Sequence, residues 1–273
     1  MKLYISCDME GVAGVCSWAQ VDSANTSDYP MYRRYMTHEV RAAIDGARAL
    51  DATDVLVNDS HGAMHNLLFD ELPADIRVIS GNRKPFSMVQ DADASFNGAF
   101  FIGYHGGAGD ANAVLCHTYT PSVMHAVQLN GMPASEATLN AALLGHYGVP
   151  LMLVSGDRTT VESVQRRMPW VEGVIVKESI GTFAANSITP SASQKAIFDG
   201  SRRALARRNE MRAFVVEPPI ILDMLLCKSE QADLLELMPG FERTSARAIR
   251  FVANDMPTSF KAFVAAFRLG ATA

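Results

Sequence analysis

The feature that most narrows the folds open to this chain is an alternation of two hydrophobic periods along its first two thirds. Short apolar runs of strand length are followed by longer segments with helical spacing. Residues 3–7 form such a run, and residues 32–50 after it carry Tyr35, Val40, Ala43 and Ala47 at helical spacing with charges between them. Residues 54–57, 78–80, 99–104, 151–154 and 174–177 read as further strands, and residues 135–147 and 159–168 as helices. This rhythm covers both faces of a mostly parallel sheet with helices, so the expected class is α/β. Residues 123–128 break the rhythm: they alternate and run into Asn130-Gly131, a hairpin signal, which predicts an antiparallel strand or flap.

Beyond Thr189-Pro190 the texture changes. A long helix (191–208) leads to Pro218-Pro219, a strand (220–225), a helix (230–237), a strand (246–252) and a last helix (258–267). The expectation is a metal-binding catalytic α/β domain over residues 1–188 and a smaller C-terminal α/β domain over residues 189–273.

Composition limits the classes of function. A chain of 273 residues that is 48% hydrophobic and 19% charged can bury a sizeable core and is not disordered. With 24 basic against 29 acidic side chains, a net charge of −5 and no dense basic run, nucleic acid is not expected as a partner. The nearest approach to a basic patch, Arg202, Arg203, Arg207 and Arg208, lies in an Ala-rich helical stretch and reads as a solvated face. No run approaches the about 18 apolar residues of a membrane span. Asp8 and Glu10 interrupt the apolar run after Met1-Lys2 too early for a signal peptide, so a cytoplasmic protein is expected. Cys7, Cys16, Cys116 and Cys227 have neither the CxxC spacing of a structural zinc site nor the density of a disulfide framework, and read as reduced thiols.

Chemistry enters where the inferred strands end. The first runs into Ser6-Cys7-Asp8-Met9-Glu10-Gly11, the second into Asn58-Asp59-Ser60-His61-Gly62, and the fourth into Gly103-Tyr104-His105-Gly106-Gly107. On an extended chain, residues two apart point to the same side, so Asp8 and Glu10 can face one point. Open α/β sheets bind ligands beyond the carboxyl ends of their strands, and three of these ends carry a carboxylate or an imidazole. The adjacent glycines allow sharp turns, but no phosphate-cradling GxxxxGK[ST] or GxGxxG is present. His117 lies just before the presumed flap, and its spacing leaves core and site readings equally open. Glu136 opens a helix, where the helix dipole alone accounts for an acid.

Together, Ser6-Cys7-Asp8-Met9-Glu10-Gly11-Val12-Ala13-Gly14, Val55-Leu56-Val57-Asn58-Asp59-Ser60-His61 and Phe101-Ile102-Gly103-Tyr104-His105 resemble the signature of the D-aminopeptidase family of binuclear zinc metallopeptidases. The similarity continues through Lys84-Pro85-Phe86, Glu136 with Leu139-Asn140-Ala141, and Leu237-Met238-Pro239-Gly240, nearly the whole chain. The resemblance implies that Asp8 bridges two zinc ions, with Glu10 and His105 completing one ligand set and His61 and Glu136 the other. It places His117 at the family's catalytic histidine. It further implies a ring-based homo-oligomer, a decamer of two pentamers, with its sites facing an inner cavity. Ser135 stands where the family pattern has Gly, and Thr182 where relatives often carry Arg.

The chemistry implied is hydrolysis of short peptides, with D-residues at the amino terminus, by a hydroxide bridging the two zinc ions. Zinc accepts imidazole nitrogen and carboxylate oxygen, and two ions about 3.5–4 Å apart can share a hydroxide and polarise a carbonyl. Two Zn²⁺ balance Asp8, Glu10, Glu136 and one hydroxide. His117 is expected to stabilise the transition state or shuttle a proton without ligating metal. Two other readings compete: a binuclear metal phosphoesterase, for which Arg83 and Lys84 are the nearby cationic candidates, and a non-catalytic peptide-binding protein with a vestigial metal site.

Overall fold

The computed structural model describes residues 1–273. The chain opens with β1 (Lys2–Cys7), a short helix α1 (Trp18–Val21) and the long α2 (Tyr29–Arg48). Then follow β2 (Asp54–Asp59), β3 (Arg77–Ile79), β4 (Gly98–Tyr104), and a hairpin of β5 (Met124–Leu129) and β6 (Met132–Pro133). Next come α3 (Glu136–His146), β7 (Leu151–Asp157), α4 (Arg158–Arg167), β8 (Glu172–Gly181), β9 (Ala184–Ser187) and α5 (Pro190–Ala206). The last third holds β10 (Ile220–Leu226), α6 (Ser229–Leu235), β11 (Phe241–Ser245), β12 (Ala248–Ala253) and α7 (Met256–Gly270).

The main sheet has seven strands in the order β3-β2-β1-β4-β7-β8-β9, all parallel to their neighbours except β9, which turns back on β8. Along β1, Leu3, Ile5 and Cys7 point into one core and Tyr4 into the other, as the two-residue period of a strand requires. The first core is covered by α2 and α5, which pack against each other. The second is filled from α3, α4 and α7 and from a five-stranded antiparallel sheet, β11-β12-β10-β5-β6. The α/β class with a mostly parallel sheet holds.

The small sheet joins two distant stretches of chain. Asn130 and Gly131 have φ of 49° and 75°, the left-handed pair of a two-residue hairpin turn, so the expected hairpin forms. It is no free flap, because β5 pairs antiparallel with β10. The small sheet thus takes strands from before residue 189, while α5, after it, packs on α2 against the main sheet. A division between 1–188 and 189–273 therefore does not follow the sheets. β9 and β11 lack the apolar signal of the other strands because they lie at sheet edges with mostly exposed or half-exposed residues. Of the arginine group at the end of α5, Arg203 and Arg207 pair with Glu172. No helix is long and apolar enough to cross a membrane.

Candidate metal centre

The strand order sets β2, β1 and β4 side by side and parallel, so their carboxyl ends share one edge. Register aligns Cys7 with Asp59 on one side and Ile102 on the other. Asp8, His61 and His105 lie just beyond these positions and so meet at the edge.

From Asp8 the chain turns, and this corrects the expected extended run to Glu10. The turn lies across the end of β4, with Asp8 N donating to Ile102 O at 2.8 Å and Gly11 N to Gly103 O at 2.8 Å. Two glycines allow the crossing. A Cβ on Gly11 would sit 1.9 Å from Tyr104 O, and Gly103 has φ +72° with a Cβ position 2.3 Å from Asp8 O. Asp8 and Glu10 do converge, and the turn brings them together.

All six residues singled out in the sequence are buried in one cluster: Asp8, Glu10, His61, His105, His117 and Glu136. His61 Nδ1 lies 3.3 Å from Asp8 Oδ1 and 3.0 Å from Glu10 Oε2. His105 Nε2 lies 3.3 Å from Asp8 Oδ2 and 3.5 Å from Glu136 Oε2. His117 Nε2 is farther out, 4.0 Å from Glu10 Oε1 and 3.7 Å from Glu136 Oε1. Donor atoms close enough to hold one ion occur in three sets: Asp8, Glu10 and His61; Asp8, His105 and Glu136; and Glu10, His105 and His117. Glu10 and His105 thus share a set, whereas His61 and Glu136 are linked only through Asp8, the one carboxylate common to both their sets.

Each imidazole is oriented by its second nitrogen. His61 Nε2 faces Val21 O at 2.8 Å, His105 Nδ1 faces Gly106 O at 2.9 Å, and His117 Nδ1 faces Leu115 O at 2.8 Å. A carbonyl oxygen only accepts, so these nitrogens carry the hydrogen and the opposite ones present lone pairs to the cluster when neutral. Glu136, first residue of α3, is aimed by Tyr119 N, which donates to its Oε1 at 2.6 Å, while Ser135 caps the helix by accepting from Thr138 N. Serine is among the residues that cap helix starts best.

Burial and charge pull these groups in opposite directions. Burial and the neighbouring Glu10 raise the Asp8 carboxyl above its usual range, against the pull of His105 and His61. Burial also raises Glu10 and Glu136, but the facing imidazoles outweigh it and hold both below the usual range. For His61 and His105 burial lowers the imidazole, yet Glu10 and Glu136 respectively lead the charges that raise it well above the ordinary value.

The residues fit a divalent metal. Asp8 Oδ2 and His105 Nε2, 3.3 Å apart, are both buried without a hydrogen-bond partner. Each such atom costs about 1–3 kcal/mol unless something satisfies it, and a cation bound by both would do so. Carboxylate oxygen with imidazole nitrogen is a donor set that zinc accepts.

Asp8, Glu10, His61, His117 and Glu136 line a cavity of about 930 Å³, which Trp18, Tyr119, Arg83 and Arg268 also line. Local pattern gave no sign of several residues around it. Trp18 meets the His117 ring edge-on at 5.4 Å. Lys177, buried on β8, donates from Nζ to the carbonyls of Glu10, Val12 (3.0 Å) and Val15 (2.7 Å), and so holds the turn that carries Glu10. Behind the cluster, Tyr119 Oη donates to Asn140 Oδ1 at 2.7 Å, and Asn140 Nδ2 donates to Tyr104 Oη at 3.0 Å. These contacts span tens of residues, and no spacing rule reaches that far.

Comparison with known proteins shows the family. The sequence model described as D-aminopeptidase matches residues 1–265. A D-aminopeptidase of Bacillus subtilis (strain 168) is 34% identical over 265 residues, covering 97% of this chain and 96% of that protein. Among solved structures, the Zn-dependent D-aminopeptidase DppA from Bacillus subtilis, described as a self-compartmentalizing protease, superposes with a TM-score of 0.96 at 32% identity. The match covers 100% of this chain and 99% of that one. The chain belongs to the D-aminopeptidase family.

Proposed function

We propose that this protein is a metal-dependent aminopeptidase that hydrolyses short peptides with a D-residue at the amino terminus. Asp8, Glu10, His61, His105 and Glu136 hold two zinc ions, and His117 acts on the substrate. The observation that carries the reading is the facing pair of unpartnered buried atoms, Asp8 Oδ2 and His105 Nε2, within the overlapping donor sets. The name of the Bacillus subtilis relative supports the activity and the metal.

When bound, two zinc ions supply Lewis acidity that polarises a peptide carbonyl and lowers the pKa of water. The chain's own residues do the rest. Asp8 carries an oxygen toward each histidine set, and the carbonyls of Val21 and Gly106 keep His61 and His105 in the ligating tautomer. His117, with Nδ1 anchored on Leu115 O, presents Nε2 to the cavity. There Nε2 can take up the proton that the attacking water gives up, and then hydrogen-bond the carbonyl oxygen as negative charge develops or pass that proton to the departing amine. Of the two cations named for the phosphoesterase reading, Lys84 is spent: its Nζ donates to Asn58 Oδ1 and Asp59 O. Assembly into a decamer of two pentamers belongs to the same proposal, supported by the relative's description as self-compartmentalizing.

Protein of measured zinc content, assayed on matched D- and L-dipeptides, tests the reading. Turnover that follows zinc content, is abolished by chelation and favours the D-peptide is expected. Activity untouched by chelation overturns the mechanism, and equal turnover of both enantiomers overturns the stereochemical preference.

A further inference from the structure

Two guanidiniums line the same cavity as the metal ligands, and neither has a carboxylate of the protein to pair with. Arg48, Arg203, Arg243 and Arg250 each make an ion pair. Arg268, in the last turn of α7, donates one neutral hydrogen bond, from Nη2 to Asn82 Oδ1 at 2.7 Å, and lies 5.3 Å over the Phe267 ring, while its Nε is buried without a partner. A cation in the last turn of a helix suits the helix dipole, but this leaves the stranded Nε unexplained. Arg83 is exposed, and its side chain makes no hydrogen bond or ion pair within the chain.

The segment carrying Arg83 is pinned on both sides. Asn82 Nδ2 donates to Gly62 O at 3.3 Å, one residue beyond His61, and Lys84 Nζ donates to Asn58 and Asp59 at the end of β2. Asn82 thereby links Arg268 to the loop of a metal ligand. Burial and the charge of Arg83 both lower the Arg268 guanidinium, so the two cations sense each other. Like charges held close, one of them with a buried unsatisfied donor, are a poor arrangement for an empty wall and a suitable one for an anion.

We propose that Arg83 and Arg268 form a carboxylate subsite for the C-terminal end of the substrate, so that the enzyme prefers short peptides with a free C-terminus. The assignment rests on the peptidase reading above. The cavity is then polarised: Asp8, Glu10 and Glu136 line its metal-binding wall, and the guanidinium pair receives the opposite end of a zwitterionic peptide. A guanidinium fork matches a carboxylate in shape as well as charge.

The test uses zinc-loaded protein and three substrates: D-alanyl-D-alanine, its C-terminal amide, and D-alanyl-D-glutamate blocked as its α-amide. The wild type is expected to favour the free acid over the amide by about 10- to 100-fold in kcat/KM. R83Q, R268Q and the double variant are expected to lose that preference by losing activity on the acid, with the amide changed by no more than about twofold. Arg83 is exposed, so R83Q probes the subsite without risk to folding, and retained amide turnover reports that R268Q is folded. Equal wild-type turnover of acid and amide overturns the subsite, as does an intact acid preference in R83Q and in the double variant. Turnover of the glutamate α-amide at the rate of the free acid overturns the C-terminal assignment. Failure of the zinc-loaded wild type on all three substrates would instead remove the peptidase reading itself.

Discussion

The imidazole rings of His105 and His117 stack face to face, with 4.1 Å between centroids and 7° between planes. One of the two lies 3.3 and 3.5 Å from carboxylates and the other no closer than 3.7 Å. The distances set His105 among the carboxylates and leave His117 at the edge of the cluster, where it lines the cavity.

Separating the two rings by mutation is the first prediction. H117A should keep its full complement of zinc while kcat falls by about 10²- to 10⁴-fold. H105A should lose metal as well as activity. Elemental analysis of both variants alongside steady-state kinetics decides between the two roles. Zinc lost from H117A would make His117 a ligand instead.

Lys177 gives a second prediction. Its ammonium is the donor for three carbonyls of the turn between Glu10 and Val15, and methionine in its place leaves those acceptors buried without it. K177M should lower stability by about 2–4 kcal/mol in denaturant titration. By loosening Glu10 it should also weaken zinc binding by about 10- to 100-fold in a chelator competition. Unchanged zinc affinity in a destabilised K177M would show that Lys177 supports the fold and leaves Glu10 in place.

The third concerns pH. Glu39 on α2 accepts from Ala13 N at 3.0 Å and from Ser193 Oγ, while its Oε2 is buried without a partner. Burial lifts its carboxyl from 4.5 to about 6. The folded state therefore holds this proton more tightly than the unfolded chain. The resulting stability is fully present below pH 4.5 and is lost as pH rises through about 6. At about 1.36 kcal/mol per unit, the loss is about 2 kcal/mol. E39Q cannot ionise, so its stability relative to the wild type should improve by that amount between pH 4.5 and about pH 7.5. A difference between the two proteins that stays flat across this window would show that Glu39 ionises freely when folded.

Much of the site is legible in the sequence, for a local reason. Asp8, His61 and His105 each follow a recognisable buried strand directly, and in a parallel sheet the ends of such strands meet at one edge. The ordering of β2, β1 and β4 as neighbours converts three separate motifs into one cluster. His117 and Glu136 carry no such signal by themselves. Each lies outside the three strand ends, and only family resemblance separates them from a core histidine and a helix-capping acid. The edge strands β9 and β11 escape because exposed strands need no apolar face.

Periodicity and short motifs are local properties of the chain, and they were enough for the α/β class, the strand ends that carry candidate ligands, and the family. Tertiary structure alone decided the rest. It showed that the small sheet draws on residues before and after 189, and that a turn over Gly103 brings Glu10 to Asp8. It set a lysine from β8 beneath that turn, and it brought Arg268 from the last helix to the loop beside His61. Hydrogen-bond geometry and burial join residues that lie tens to nearly two hundred positions apart, and no local pattern carries that information.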